Sequence, residues 1–416
     1  MAEKRYYNNF TFIGEVNVPN DKNKVYEVKT WDSGWQTHRL SMAVKESKTN
    51  SMFLELSAMY TPKEDNKVYA MSKEGGKLEI PFTQRNNEGV ADLVSDFSKL
   101  VVDLELDQKT KADRVSLEFR IRNLERKEEL TDEDKEKLAE YREAVKPLKA
   151  NKHEFLTEYD FVNFLNNNLE LLKQHKIKAT GNILMEESKG KYYTKYVPKR
   201  IEVVPADTAN ELVAKYDIFF DKNALDESDL KESKKIYIDG YVMGYDRKEK
   251  ADRYFPKQFV INATAIDFEN PTHVAYLEML KRHFNLKSKK TFHHLLWTAN
   301  LYKGAEVVEF NENMLTAEQK ELIAFGLKTI DDFKPKGGVY GDKVEEIRLY
   351  TPELVNDYAD GAIDTGLKED EFMELLVKST ADVSTNSVKS NGNEKQQEPT
   401  QATTPSVEDQ LKALFK

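Results

Sequence analysis

The side chains best placed for chemistry in this chain are aromatic rings beside cations. Trp31 and Trp35 stand four positions apart, flanked by Lys29 and Arg39 and hinged at Gly34. Flat apolar rings are costly to leave near solvent, but beside Lys or Arg they suit the stacking of unpaired bases while phosphates are neutralised alongside. Phe53 sits on the polar side of an otherwise inward-facing pattern. A second cluster runs through Lys191, Tyr192, Tyr193, Lys195, Tyr196, Lys199 and Arg200. A third places Tyr237, Tyr241 and Tyr245 on one face of an alternating segment, followed by Arg247, Arg253 and Tyr254 in a long hairpin loop. Tyrosine also packs well on a half-buried sheet, so each of these residues alone has a structural reading. Taken together, three such platforms imply tight binding without sequence preference, each stack worth ~1–3 kcal/mol per base.

Other chemistries find less support. His273, His283, His293 and His294 invite a metal site, but neighbouring His293 and His294 diverge on any regular element, and no carboxylate partner stands at i, i+4. They read as surface or core histidines, and no metal or other cofactor is expected. Asp239, Asp246 and Asp267 offer carboxylates for a two-metal nuclease, but turns and strand ends collect aspartates anyway. The glycine-rich run from Lys334 to Lys343 lacks the spacing of a phosphate-binding loop. No Ser-His-Asp arrangement or dinucleotide fingerprint is visible, so no catalytic residue is expected.

These residues need strands to hold them. Phe10 to Val18 reads as a strand closed by Pro19 and Asn20; His38 to Lys45 and Met52 to Ser57 alternate with Leu40, Met42, Val44, Leu54 and Leu56 inward. The run Asn9-Phe10-Thr11-Phe12-Ile13-Gly14-Glu15-Val16, then Trp35 to Met42 and Phe53-Leu54-Glu55-Leu56, resembles the start of a phage-type single-stranded-DNA-binding protein. That resemblance covers roughly the first sixty residues and implies an OB-fold that binds single-stranded DNA. The chain departs from the family in being far longer than a one-domain binder, and in a final stretch, Glu408 to Lys416, that is not strongly acidic.

Further along, Lys67 to Met71 and Lys77 to Phe82 flank a glycine pair as a hairpin, and Leu100 to Leu106 reads as a strand closing a small barrel. Val115, Leu117, Phe119 and Ile121 alternate with Arg120 and Arg122, ahead of a charged helix capped at Thr131 and stopped by Pro147. A helix capped at Thr157 buries Phe161, Phe164 and Leu165. From Lys176 a second β-rich block echoes the first. Thr316 and Gln319 form a capping box, and residues 353–374 are acidic, ending in a short helix near Phe372. The chain from Ser379 to Pro405 is polar enough to be disordered, and Val407, Leu411, Leu414 and Phe415 form a terminal amphipathic peptide suited to a partner's groove.

With 416 residues, 39% of them hydrophobic, the chain has material for two to three domains. The absence of cysteine excludes disulfides and thiolate sites. A net charge of -10 looks wrong for a nucleic-acid binder, but phosphate feels the local patch rather than the sum.

The expected fold is mainly β with α (α+β): tandem OB-like barrels with helical insertions and a disordered C-terminal tail. The expected divisions are 1–107 and 176–310 as barrels, 108–175 as a charged helical connector, 311–378 as a helical and acidic segment, and 379–416 as the tail. The expected protein is no enzyme. It protects single-stranded DNA during phage replication or recombination in the cytoplasm of an infected bacterial host cell. It meets replication or recombination proteins through its terminal peptide and does not engage membrane. Two alternatives stay open: a metal-dependent nuclease or recombinase using Asp239, and a virion assembly protein that binds only proteins.

Overall fold

Alternation places Phe10 and Phe12 on one face of the strand Asn9–Asn17, and both are buried. The computed structural model describes residues 8–378, apart from residues 62, 64, 65, 88, 128, 287–289, 309 and 336–338, and without the side chains of 306–308 and 339–342. The tail 379–416, with Val407, Leu411, Leu414 and Phe415, lies outside the described residues. The architecture is mainly β with α. Among the described residues no helix is long and apolar enough to cross a membrane.

Strands between residues 211 and 352 close on themselves. Glu211–Phe220 pairs with Lys235–Asp246, and that strand pairs with Ala251–Asn262. Ala251–Asn262 meets Val339–Pro352 in parallel at Val260 and Arg348. Val339–Pro352 pairs with Thr291–Val308, which returns to Glu211–Phe220. Inside the ring, Tyr216, Ile218, Ile238, Val242, Phe259 and Trp297 are buried. The helix Pro271–Arg282, N-capped by Asn270, adds Leu277 and Leu280 to the same core, and Phe284 stacks on Trp297 at 5.1 Å.

The first set of strands follows a similar plan. Asn9–Asn17 pairs with Met42–Lys45 and with Lys176–Ser188. Met42–Lys45 pairs with Ser51–Leu54, and Lys176–Ser188 pairs with Lys191–Val204. Glu55 N donates to Tyr196 O at 2.8 Å, bringing the third of these strands beside the fifth. The helix Glu158–Asn167, capped by Thr157, buries Phe161, Val162 and Leu165 against them. Asn9–Asn17 also pairs with Glu211–Phe220, so both sets belong to one sheet.

These pairings redraw the expected divisions. The strands Lys176–Ser188 and Lys191–Val204, assigned from sequence to the second barrel, complete the first set, because their partner is the opening strand. The second ring does not close by residue 310; its last strand is Val339–Pro352. The connector 108–175 lies within the first set rather than between the two.

Residues 115–121, read as alternating, belong to the helix Gln108–Glu125. Asp107 caps it by accepting from the amides of Lys109 and Thr110, and its Lys, Arg, Glu, Ala and Leu are strong helix formers. Arg114 is fully buried in an ion pair with Asp103 and sets which face turns inward. Val115 and Phe119 therefore point to solvent. The acidic segment also holds an unexpected strand, Ile363–Lys368, paired to Thr291–Val308 ahead of the helix Glu369–Glu374.

Candidate nucleic-acid interface

Tyr26–Thr30 and Gln36–Leu40 form a hairpin whose tip carries both predicted tryptophans. Trp31 N donates to Trp35 O at 2.8 Å, and Gly34 turns the chain at φ +82°, a conformation that a side chain would strain. Gln36–Leu40 alternates: His38 and Leu40 are buried, while Thr37 and Arg39 face the other way. On that outer face Lys29 Nζ stands 3.9 Å from the centre of the Trp31 ring. Trp31 Nε1 donates to Thr37 Oγ1 at 2.9 Å, and Thr37 Oγ1 lies 3.0 Å from Met59 Sδ. Trp31 is 46% exposed and Phe53 57%, and Arg39 is exposed as well. Trp35 is half-buried. The result is an open face of rings and cations backed by a packed sheet.

The other predicted residues divide. Lys191, Tyr192 and Tyr193 are exposed at the start of Lys191–Val204, and Lys195 is ion-paired with Glu186. Lys248 joins Glu187, tying the turn after Lys235–Asp246 to the hairpin that carries Tyr192. Tyr245 and Arg247 are exposed at that turn. Tyr237 and Lys199 are half-buried, and Arg200 is held by Asp103 and Glu202 at 3.3 and 3.5 Å.

Three tyrosines proposed to stack bases are packed against protein instead. Tyr196 sets its ring edge-on to Phe10 and Phe12, and burial pushes its hydroxyl up to about 12. Tyr254 is buried and stacks on Phe372 at 4.2 Å. Tyr241 meets Phe372 edge-on at 5.0 Å, and burial first, then the nearby acids Asp221, Asp239 and Glu369, raise its hydroxyl. The acidic segment causes this cover: Tyr254 N donates to Leu375 O and Val377 N donates to Tyr254 O, each at 3.0 Å. Arg253, beside them, is half-buried with Nη2 3.8 Å from Glu249.

The aspartates considered for a nuclease stand apart. Asp239 accepts from Gln258 Nε2 at 3.0 Å, while Asp246 lies seven residues on, roughly 23 Å along the same strand. Asp267 is in the turn before Pro271–Arg282 and accepts from Glu269 N at 2.9 Å. Among the described residues no group of three His, Cys, Asp or Glu side chains could hold a metal ion. His294 Nδ1 lies 2.9 Å from Asp217 Oδ1, and the Tyr358 hydroxyl bonds the other oxygen of that carboxylate, all three buried. That network anchors residues 353–377 to the second ring.

Sequence reasoning missed Thr37 and Met59, although the outward series Phe53, Glu55, Ser57, Met59 carried the signal. It also missed Lys48, Lys303 and Lys343, which line a cleft with Phe53. Lys303 and Lys343 are separated by forty residues and meet only through the register of Thr291–Val308 with Val339–Pro352.

No protein-family model matches the chain. No curated protein matches it either. Among solved structures it is similar to a deletion mutant of the single-stranded DNA binding protein from Thermus aquaticus, at 9% identity and a TM-score of 0.27, over 72% of this chain and 88% of that one. A TM-score that low carries no weight, and the functional reading rests on the geometry above.

Proposed function

We propose that this chain binds single-stranded DNA stoichiometrically and without sequence preference, on two OB-like barrels formed by residues 9–204 and 211–352. The carrying observation is the Trp31 platform: an exposed ring with Lys29 at 3.9 Å, on the outer face of a packed hairpin. Bases stack on Trp31 and Phe53 while Lys29 and Arg39 neutralise phosphates and release counterions. The five-strand closure of 211–352 supports the barrel reading, since the OB-fold is a five-stranded Greek-key barrel that takes oligonucleotides on its second and third strands. In the first set Met42–Lys45 and Ser51–Leu54 take those places; Ser51–Leu54 carries Phe53, and Arg39 lies just before Met42–Lys45 on Gln36–Leu40.

Within this reading, Lys191, Tyr192, Tyr193, Tyr245 and Arg247 form a secondary contact region. The likeness of residues 9–56 to phage-type proteins supports a role in phage DNA replication or recombination in the host cytoplasm. The terminal peptide is then the contact for replication or recombination proteins. Nothing is turned over. Titration with oligo(dT), with and without magnesium, tests the reading: fluorescence quenching without cleavage supports it. Cleavage with magnesium favours a nuclease, and no response favours an assembly protein.

A further inference from the structure

Phe53 opens into a cleft of about 570 Å³ whose other wall belongs to the second ring, with Lys48 on its own side and Lys303, Gly304, Lys343 and Glu345 opposite. The rim of this cleft is fixed. Asn50, buried to 2% exposure, donates to Leu301 O at 3.0 Å and accepts from Lys303 N at 2.8 Å, clamping the turn before Ser51–Leu54 onto Thr291–Val308. Gly304 passes so close beneath this turn that a Cβ there would collide with Thr49 O, so no other residue allows the same approach. Among the described residues lining the cleft, three lysines face one acid, Glu345, which pairs with Lys303 at 2.7 Å. Lys343 is exposed, and so is the Phe53 ring.

The outward residues of Ser51–Leu54 and Ser57–Tyr60 connect this cleft to the hairpin. Met59 lies against Thr37 beneath Trp31, and Phe53 stands six residues back along the chain, on the preceding strand. A ring and cations therefore recur where Ser51–Leu54 meets the second ring's outer strands in a charged cleft.

We infer that this cleft is where a single strand crosses from the first ring to the second, one base stacked on Phe53 and the adjacent phosphate held by Lys343 and Lys303. The inference rests on the proposed single-strand binding and adds the crossing point to it. Without a crossing, the two rings would be separate binding units joined only by protein.

The test uses the full chain, a fluorescein-labelled oligo(dT) of about 20 nucleotides, and four proteins: the parent, Phe53→Ala, Lys343→Gln and Trp31→Ala. Because both cleft side chains are exposed, melting temperatures should match the parent and keep folding out of the comparison. Phe53→Ala is expected to weaken binding about tenfold, the loss of one stack. Lys343→Gln is expected to lower the slope of log affinity against log salt by about one or less. If both bind as the parent does while Trp31→Ala is weakened, the crossing and the stacking on Phe53 are overturned, and single-strand binding on the Trp31 platform stands. If the parent binds no oligomer, both are overturned.

Discussion

Phe372 lies face to face with Phe292, ring centres 3.7 Å apart and planes 3° from parallel. This contact seats the acidic helix Glu369–Glu374 over Tyr241 and Tyr254, on the outer face of the second ring. We propose that this acidic segment competes with phosphate as a tethered rival of the strand. Removing everything after Pro352 would also remove Tyr358 and Phe372 from the fold. Neutralising the exposed Glu369, Asp370, Glu371 and Glu374 to amides is the cleaner test. Stability should change by no more than about 0.5 kcal/mol, while affinity for oligo(dT) rises, most of all at low salt. Unchanged low-salt affinity would show that the segment does not compete.

Phe372 itself is fully buried among Phe219, Tyr254 and Phe292. Phe372→Ala should cost ~3–5 kcal/mol in urea unfolding, as buried aromatic truncations do. A loss below about 1 kcal/mol would mean that the segment is only loosely seated.

The tryptophans separate binding from stability. Trp31 is exposed, whereas Trp297 is fully buried against Phe284. Trp31→Ala should weaken DNA binding by ~1–3 kcal/mol at nearly unchanged melting temperature. Trp297→Ala should lower stability by ~3–5 kcal/mol. If Trp31→Ala melts early and binds normally, the hairpin platform is structural.

Lys257 reports the space between the rings. It faces a cavity of about 330 Å³ with Met52, Met185, Tyr196 and Glu345, and its Nζ donates to Thr194 Oγ1 at 2.5 Å. Burial lowers its ammonium to about 8, with Glu345 opposing and Lys303 assisting. The unfolded chain keeps this proton up to the ordinary lysine range, so the native state is penalised below about pH 8. Stability is regained as pH rises from about 8 towards 10. Lys257→Met should therefore be more stable than the parent near pH 7, by at most ~3 kcal/mol, with the difference shrinking by about pH 10. A difference independent of pH would place the amine in solvent.

Arg114 and Asp103 form a fully buried pair at the foot of the helical insertion. Arg114→Met leaves the Asp103 carboxylate with Arg200 at 3.3 Å and should cost ~3–5 kcal/mol. Adding Asp103→Leu should restore most of it, since the uncompensated charge is then gone. A double variant as unstable as the single would point to packing instead.

Local patterns made the strands and helix caps legible, because period-two alternation at Phe10 and Phe12 and capping boxes at Thr131 and Thr316 are written within a few residues. The exposed hairpin tip was legible for the same reason. Closure was not: Asn9–Asn17 meets Lys176–Ser188 across more than 150 residues, and alternation says nothing about which strand is the partner. Tyr241 and Tyr254 were misread because the face opposite a buried one looks open until another segment covers it. Here that segment is Phe372, more than a hundred residues later. The charge pattern around Arg114 suggested a solvated arm, yet one guanidinium in it is fully buried with its carboxylate.

The central claim is that exposed rings on this chain stack unpaired bases. Its most direct test is the emission of Trp31 and Trp35, with buried Trp297 as a constant background, during parallel titrations with oligo(dT) and with duplex of equal length at moderate salt. The account predicts quenching by the single strand, with affinity well over tenfold above that for duplex and falling as salt rises. Equal affinity for the two forms, or no quenching by the single strand, would contradict it.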